Sequence, residues 1–383
     1  SDYTFGIYQT AKQESTGQQF ISNFSSGIRD YTVKTDLNYH PLIKHSFRIG
    51  GIATYHIFTP KAIVSKNDFS TETGPNTKEQ INSLETGIYG EDDWRPLSWV
   101  SVNAGLRLSS FFPENEQYLF LEPRLGLRIG LLEHLTYKAS YAEMNQYLHL
   151  LSNSTPGLPT DLWVPATQKV KPQHAVQYAT GFAASFPKKG LEITLEGYYK
   201  RTTNNLTYKD GASFIVNTPE SQEATKYEDL VSSGKGRAYG VELFVQYQYK
   251  SFTGWVGYTY SRSFQTFADI NDGKEFRAKY DRPHDVSVVG SYQISKKWKA
   301  SATWVYGSGG TLTLPEGQYH VNAIGTMYGF NTIDQLGERN GFRAEAYHRL
   351  DLAFQNSKQK KHGVRTWEYG LYNAYSRSNP FFY

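Results

Sequence analysis

The stretch GLEITLEGYYKR, residues 190–201, decides the fold class because its side chains alternate with a period of two. One face of the extended strand is apolar and carries Leu191, Ile193, Leu195 and Tyr199. The opposite face carries Glu192, Thr194, Glu196 and Lys200. A globular core has no place for such a charged face, whereas a strand between lipid and a water-filled lumen requires both faces. The stretch therefore predicts a membrane-spanning β-strand.

The same alternation recurs along the chain. Residues 237–250 place Tyr239, Val241, Leu243 and Val245 on one face, and the period holds longer than in an average soluble strand. Residues 286–294, 298–306 and 125–131 repeat it. We mark about 15 strands, near residues 1–12, 27–39, 45–58, 79–93, 99–112, 118–131, 135–147, 171–186, 190–203, 236–249, 252–265, 283–295, 298–308, 345–356 and 363–375.

The connections between these strands fall into two alternating sets. The short set is 40–44, 94–98, 132–134, 187–189, 250–251, 296–297 and 356–362. The long and mostly polar set is 12–26, 60–78, 148–170, 204–235, 266–282 and 309–344, with 113–117 as its one short member. Because neighbouring strands are antiparallel, all long loops lie on one side, as in bacterial outer-membrane barrels. Aromatic residues beside the short turns indicate an interfacial girdle. The chain is predicted to be an all-β, antiparallel transmembrane β-barrel in the outer membrane, and a soluble β-sandwich is disfavoured.

Composition agrees and excludes several protein classes. Aromatic residues make up 15% of the 383 residues, yet the mean hydropathy is −0.57. No run of about 18 apolar residues exists, which excludes a transmembrane helix. The net charge of +4, from 40 basic and 36 acidic residues, is too balanced to predict a nucleic-acid partner. With no Cys there is no thiolate chemistry. Ser1 opens no signal peptide, so we expect either that a signal was removed or that the chain begins within a longer protein.

No constellation of residues predicts catalysis. The segment 269–273, reading DINDG, lacks the glutamate that completes a calcium loop, so turn chemistry is the better interpretation. The 10 His residues are scattered, and no G-x-S-x-G elbow supports a membrane hydrolase. We therefore expect no catalytic residue, no metal site and no cofactor.

Two groups of residues are candidates for binding. The first lies on the polar face of the strands and would line the lumen or contact a plug domain: Arg124, Arg128, Lys138, Glu192, Glu196 and Glu242. A merely water-filled lumen would be polar too, and this alternative stays open. The second group lies on long loops and would contact a ligand: Tyr147, His149, Trp163, Tyr319, His320 and Tyr328. The alternative is that these loop aromatics pack the loops against each other.

Several segments resemble the barrel of TonB-dependent outer-membrane receptors, particularly the type common in Bacteroidetes. They are 158–182 (LPTDLWVPATQKVKPQHAVQYATGF), 280–290 (YDRPHDVSVVG), 298–309 with 313–315, 347–352 (YHRLDL) and 371–383 (LYNAYSRSNPFFY). The resemblance covers nearly the whole chain. It implies a barrel of about 22 strands around an N-terminal plug, a periplasmic TonB protein that pulls the plug, and a small nutrient ligand. Outer-membrane lipid or lipopolysaccharide and a surface lipoprotein are further implied partners.

The chain has fewer strands than the family's barrel. We therefore expect residues 1–383 to be a barrel fragment, with the plug, first strands and final strand absent. The function expected from the resemblance is energised import of a siderophore, haem, cobalamin, glycan or peptide. The rival functions are a passive porin and a structural or secretion barrel, and an upstream plug with a TonB-box would distinguish the importer from both.

Overall fold

A computed structural model describes residues 2–12, 19–67, 77–114, 116–151, 162–209, 227–322 and 330–380. Strands account for nearly all of this part. They are β1 Asp2–Lys12, β2 Gln19–Leu42, β3 His45–Asn67, β4 Thr77–Leu97, β5 Val100–Phe112, β6 Tyr118–Leu132, β7 Leu135–Gln146, β8 Leu148–Leu151, β9 Leu162–Pro165, β10 Gln173–Phe186, β11 Leu191–Tyr208, β12 Val231–Tyr249, β13 Phe252–Phe267, β14 Phe276–Arg277, β15 His284–Gln293, β16 Trp298–Gly307, β17 Thr311–Leu312, β18 Pro315–Asn322, β19 Phe330–Leu336, β20 Phe342–Arg343, β21 Tyr347–Lys360 and β22 Gly363–Leu371.

One antiparallel sheet forms the wall. Its strand order is β1-β2-β3-β4-β5-β6-β7-β10-β11-β12-β13-β15-β16-β21-β22, so each wall strand pairs with the next one along the chain. The remaining strands lie inside the long connections, where β8 pairs with β9, β17 with β20 and β18 with β19. This up-and-down order confirms the all-β barrel wall. In the described part, no helix is long and apolar enough to cross a membrane.

Cross-strand register aligns apolar residues into rows that run around the wall. One row pairs Phe182 with Leu195, Leu195 with Leu243, and Leu243 with Tyr258. Directly opposite residues share a face of the sheet, so these side chains form a continuous apolar surface, here called the lipid face. The neighbouring row pairs Glu196 with Glu242, and Glu242 with Thr259. That polar surface is called the lumen face.

Aromatic residues border the lipid face at both ends. At the end with the short turns, here called the short-turn rim, Phe186 is the last residue of β10, and Tyr249 pairs with Phe252. Toward the opposite, long-loop rim, register aligns Tyr178 with Tyr141 and Tyr199. Eight residues separate Tyr178 from Phe186, which corresponds to roughly 19 Å of height for strands tilted by about 45°. The aromatic rows therefore border an apolar band on the lipid face.

The strands are longer than the sequence predicts at the long-loop rim. Strands β2 and β3 remain paired as far as Phe20 and Asn67, within segments expected to be loops. Backbone hydrogen bonds between strands do not depend on contact with lipid, so the pairing continues above the membrane. Beyond the lipid, the side chains no longer need to alternate between apolar and polar. The expected loops 12–26 and 60–78 are therefore in part strand, and the expected strands ended too early.

Tightly buried side chains concentrate at the long-loop rim, in the connections and in the ends of the wall strands that they join. The main cluster contains Leu151, Val164, Val170, Tyr208, Tyr227 and Val231. A second cluster contains Phe111, Tyr147 and Ala166, and a third Phe267, Ile270 and Phe276. Among the described residues, the wall between its two rims has no comparable core, because one face meets lipid and the other the lumen. The packed part of the molecule therefore lies where loops from several strands meet.

Candidate functional site

A groove of about 300 Å³ lies on the lumen face of β5, β6, β7, β10 and β11. Its floor is formed by small residues, and Gly181 is one that the geometry requires. A Cβ atom at Gly181 would lie 2.3 Å from the carbonyl oxygen of Leu195. Charged side chains of Arg128, Lys138 and Glu196 form part of its lining. The groove therefore combines close backbone approach with groups of both charge signs.

Like charges lie opposite each other on both sides of this groove. Arg128 pairs in register with Lys138, and Glu196 with Glu242. Between the two sets, Lys138 Nζ lies 3.4 Å from Glu196 Oε1, an ion pair whose side chains are nearly half exposed. Like charges directly opposite each other destabilise the sheet unless other groups neutralise them. The lumen face therefore offers a cationic and an anionic position to whatever fills the lumen.

A second charged network occupies the lumen face of β4, β5 and β6. Arg107 lies between two carboxylates, with its Nη2 3.3 Å from Glu85 and its Nε 3.8 Å from Glu122. Glu122 is 7% exposed and accepts hydrogen bonds from Ser109 Oγ and the Asn145 backbone N–H, each at 2.9 Å. Nearer the short-turn rim, Arg124 lies 3.7 Å from Glu91. The contacts of this network join the four wall strands β4, β5, β6 and β7.

Tyr147 contacts that network at its end nearest the long-loop rim. Its ring stacks on Phe111 at 4.8 Å, and its hydroxyl hydrogen-bonds with Ser109 Oγ at 2.7 Å. The side chain is 2% exposed. Burial raises the pKa of the Tyr147 phenol to about 12, so the hydroxyl is neutral at physiological pH. Tyr147 therefore joins the start of the connection 148–170 to the lumen wall.

The short hairpin of β8 and β9 follows Tyr147 and has two unlike faces. His149 pairs with Val164 on the buried face, and Leu150 pairs with Trp163 on the other. His149 is 3% exposed, and burial lowers its pKa to about 4, so its imidazole is neutral. Leu150 is 37% exposed and Trp163 is partly exposed. The hairpin therefore presents Leu150 and Trp163 together as an apolar surface.

The segment that follows this hairpin contacts the connection before β12. Tyr227 donates a hydrogen bond to the carbonyl oxygen of Pro165 at 2.9 Å. Thr167 hydrogen-bonds to Glu228, and Lys169 Nζ lies 2.8 Å from Asp229. Residues 165–169 and 227–229, from two long connections in different parts of the chain, thus contact each other.

A buried aspartate joins the last two long connections. Asp281 has a fully buried side chain and accepts a hydrogen bond from the Ser263 backbone N–H at 2.7 Å. The guanidinium of Arg343 donates to its carboxylate, and Arg262 Nε lies 3.4 Å away. Arg343 also donates to the carbonyl oxygen of Gly309 at 2.8 Å. Arg343, near one end of the connection 308–346, therefore holds Gly309 near the other end and contacts the loop 268–283, and Asp281 links that loop to β13.

The structure distributes the loop residues predicted as ligand contacts over different environments. Tyr147 and His149 are buried supports of the loop cluster, because their side chains insert between strand ends. Trp163 is partly exposed, and Tyr319 on β18 is 52% exposed. His320 lies in β18 with its side chain outside the described part, and Tyr328 lies outside the described residues.

The predicted lumen residues lie on one face of the sheet. Arg128 pairs with Lys138, and Lys138 pairs with Gly181. Gly181 pairs in turn with Glu196, and Glu196 with Glu242, so all these residues share one face. Glu192, four residues before Glu196 on β11, shares it, as does Arg124, four residues before Arg128 on β6. Sequence reasoning missed Arg107 and Glu122, although their position on the polar face of β5 and β6 could have identified them.

A family model described as "TonB dependent receptor-like, beta-barrel" matches residues 1–374. The chain therefore belongs to the TonB-dependent receptor β-barrel family, a family of outer-membrane receptors and transporters rather than enzymes. No curated protein matches the sequence.

Solved structures share the fold. The FrpB iron transporter from Neisseria meningitidis is 11% identical, with a TM-score of 0.61, and the match covers 98% of this chain and 58% of that chain. The ferripyoverdine receptor of the outer membrane of Pseudomonas aeruginosa, bound to ferripyoverdine, is 13% identical with a TM-score of 0.59, covering 98% and 49%. The unliganded ferric citrate transporter FecA is 10% identical with a TM-score of 0.59, covering 98% and 54%. The chain thus spans between about half and three-fifths of these relatives.

Proposed function

We propose that the complete protein imports a scarce nutrient across the outer membrane by TonB-coupled active transport. The observation that carries the proposal is a charged lumen wall joined, through Tyr147, to a packed cluster of described residues at the long-loop rim. A passive pore needs a polar lumen but has no need of loops packed into a binding platform. Family membership supports the same function.

A plug domain and further strands complete the proposed receptor. The opposed pairs Arg128 with Lys138 and Glu196 with Glu242 lack a full set of neutralising partners in the described wall. A plug that presents an acidic group to the first pair and a basic group to the second would neutralise both. The chain also covers only part of its solved relatives. We therefore propose that residues 1–383 form one part of a larger barrel that encloses its own plug.

The nutrient class is open among ferric siderophores, haem, cobalamin, glycans and peptides. Three of the structurally similar proteins are described as iron or ferric-complex transporters or receptors, although at 10–13% identity they share the fold alone. Ferric chelates are for this reason the first ligands to test. A surface lipoprotein that delivers the nutrient fits the proposal, and so does lipopolysaccharide around the barrel.

Energy coupling is the decisive test of this function. Cells that express the complete receptor as their sole ferric-chelate receptor should take up radiolabelled ferric citrate or haem only while TonB and the proton-motive force are present. Deletion of TonB, or a protonophore, should reduce uptake to the level of cells without the receptor. Surface binding at low temperature should persist, because loop contacts do not need energy. Uptake that continues without TonB would contradict the proposal and favour a passive channel, and absence of any uptake or binding would favour a structural or secretion barrel.

The loop aromatics Trp163 and Tyr319 are the proposed ligand contacts. Replacing Trp163 with alanine should weaken binding by about 2 kcal/mol, roughly thirtyfold, if the indole is an anchor of the site. Tyr319→Ala should act in the same direction, since both aromatics lose little side-chain entropy on binding. The measurement is the ligand dissociation constant on whole cells, corrected for surface abundance.

Trp298→Ala is the matched control, because Trp298 lies at the opposite rim and is 42% exposed there. It should leave the ligand dissociation constant unchanged. Unchanged affinity in both loop variants at normal abundance would remove Trp163 and Tyr319 from the site. His320 and Tyr328, in the same connection as Tyr319, remain predicted ligand contacts.

A further inference from the structure

The short-turn rim carries a one-sided charge. Its turns are residues 43–44, 98–99, 133–134, 187–190, 250–251, 294–297 and 361–362. With one strand residue added on each side, these turns contain eight lysines and a single acidic residue, Glu133. The eight, here called the rim lysines, are Lys44, Lys188, Lys189, Lys250, Lys296, Lys297, Lys360 and Lys361.

This imbalance is local to the rim. The whole chain has 40 basic and 36 acidic residues. The connection 268–283, at the other rim, carries four of each. All eight rim lysines are exposed, and in the part of the chain that the structure describes none of them forms an ion pair. The rim therefore displays positive charge that no group of the described chain neutralises.

The rim lysines adjoin the aromatic border of the lipid face. Lys250 follows Tyr249, and its ammonium lies 5.1 Å from the centre of that ring. Lys297 precedes Trp298, which is 42% exposed on the lipid face. Aromatic residues of this kind lie at the level of lipid headgroups. Because a lysine extends its ammonium past its apolar stem toward water, the charges lie at phosphate depth.

The lysines are also spread widely rather than gathered in one patch. They occur in five of the seven turns, from β2–β3 to β21–β22. With strands about 4.8 Å apart, these 14 wall strands span an arc of roughly 60 Å. A protein partner would recognise a compact surface, whereas lipid surrounds the rim along its whole length.

We propose that the rim lysines bind the phosphate groups of anionic phospholipids in the periplasmic leaflet of the outer membrane. The short-turn rim faces that leaflet. Juxtamembrane lysines attract anionic headgroups over zwitterionic ones, and this attraction decreases with salt. The rim therefore selects the lipid that surrounds the barrel, independently of which nutrient is transported.

The test uses the complete receptor in vesicles of phosphatidylethanolamine. A fixed fraction of the lipid is replaced by phosphatidylglycerol with brominated acyl chains or, in a parallel sample, by brominated phosphatidylethanolamine. Bromine quenches tryptophan fluorescence at close range, and Trp94, Trp99 and Trp298 lie beside the rim. Brominated phosphatidylglycerol should quench about threefold more efficiently or better, given the attraction expected for several lysines. The preference should disappear at about 0.5 M salt.

The decisive variant replaces Lys188, Lys189, Lys296, Lys297, Lys360 and Lys361 with glutamine. Its quenching ratio should decrease to about one, while the matched variant with arginine at the same six positions should keep the parental ratio. The double variant Lys188→Gln, Lys189→Gln is milder and leaves the other turns unchanged. The shift in gel mobility on heating, which folded barrels show, verifies folding of each variant. Equal quenching by both lipids in the parent would overturn the proposal, and so would an unchanged preference in the glutamine variants. If a periplasmic protein binds the parent receptor but not the glutamine variant, and the lipid preference of the two is the same, the lipid proposal is overturned in favour of a protein partner.

Discussion

Replacing Asp281 with asparagine is expected to open the loops at the long-loop rim. The substitution leaves the guanidinium groups of Arg262 and Arg343 without their shared carboxylate. Both arginine side chains are about one-quarter exposed, at 23% and 26%, so water relieves part of the cost. We expect a destabilisation of about 3 kcal/mol, the low end for breaking a buried ion pair. Amide hydrogen exchange in the connection 308–346 should accelerate by about two orders of magnitude.

The matched control is Asp272→Asn in the same loop. Asp272 has a side chain that is 90% exposed, and its contact with Lys274 is 3.9 Å. An exposed pair of this kind contributes little, about 0–1 kcal/mol, so exchange in the connection should be nearly that of the parent. Exchange in β12, and in β13 away from Ser263, should be unchanged in both variants, because the wall has its own hydrogen-bonded ladder. Similar exchange for Asp281→Asn and Asp272→Asn would contradict the role assigned to the buried aspartate.

The loops bear on function because the proposed ligand contacts depend on them. Connection 308–346 contains Tyr319, and its Arg343 is one of the groups that hold Asp281. A site on loops binds well only if the loops are already ordered, since ordering them on binding costs free energy. Asp281→Asn should accordingly weaken ligand binding as well, with the wall intact.

Much of the wall could be predicted from the sequence because its physical constraint is local. A strand between lipid and lumen must alternate apolar and polar residues, and Leu191 through Leu195 show this directly. The described residues form 15 wall strands, which agrees with the expected number. The expected strand ends were less accurate, since lipid no longer imposes alternation where β2 and β3 rise above the membrane.

The loop cluster could not be predicted because its contacts join residues that are far apart in the chain. Tyr147 hydrogen-bonds with Ser109, 38 residues earlier, and Arg343 contacts Asp281, 62 residues earlier. An aromatic side chain in a loop is compatible with ligand contact or with packing, and only the position of the neighbouring strand ends distinguishes the two. His149 shows the same limit, since nothing in its local sequence marks it as buried.

Replacing Leu243 with arginine is expected to destabilise the barrel in the membrane far more than the same replacement of Glu242. Leu243 lies on the lipid face between Leu195 and Tyr258, whereas Glu242 lies on the lumen face between Glu196 and Thr259. Both are about seven residues above the turn that contains Lys250, roughly 16 Å for a tilted strand, and so near mid-membrane. Arginine at position 243 should cost about 2–4 kcal/mol, because its charge meets hydrocarbon. At position 242 it faces water and the carboxylate of Glu196, so the cost should be small. Folding titrations of the complete receptor into lipid vesicles measure both free energies at equal depth, and equal costs for the two variants would show that the faces are assigned incorrectly.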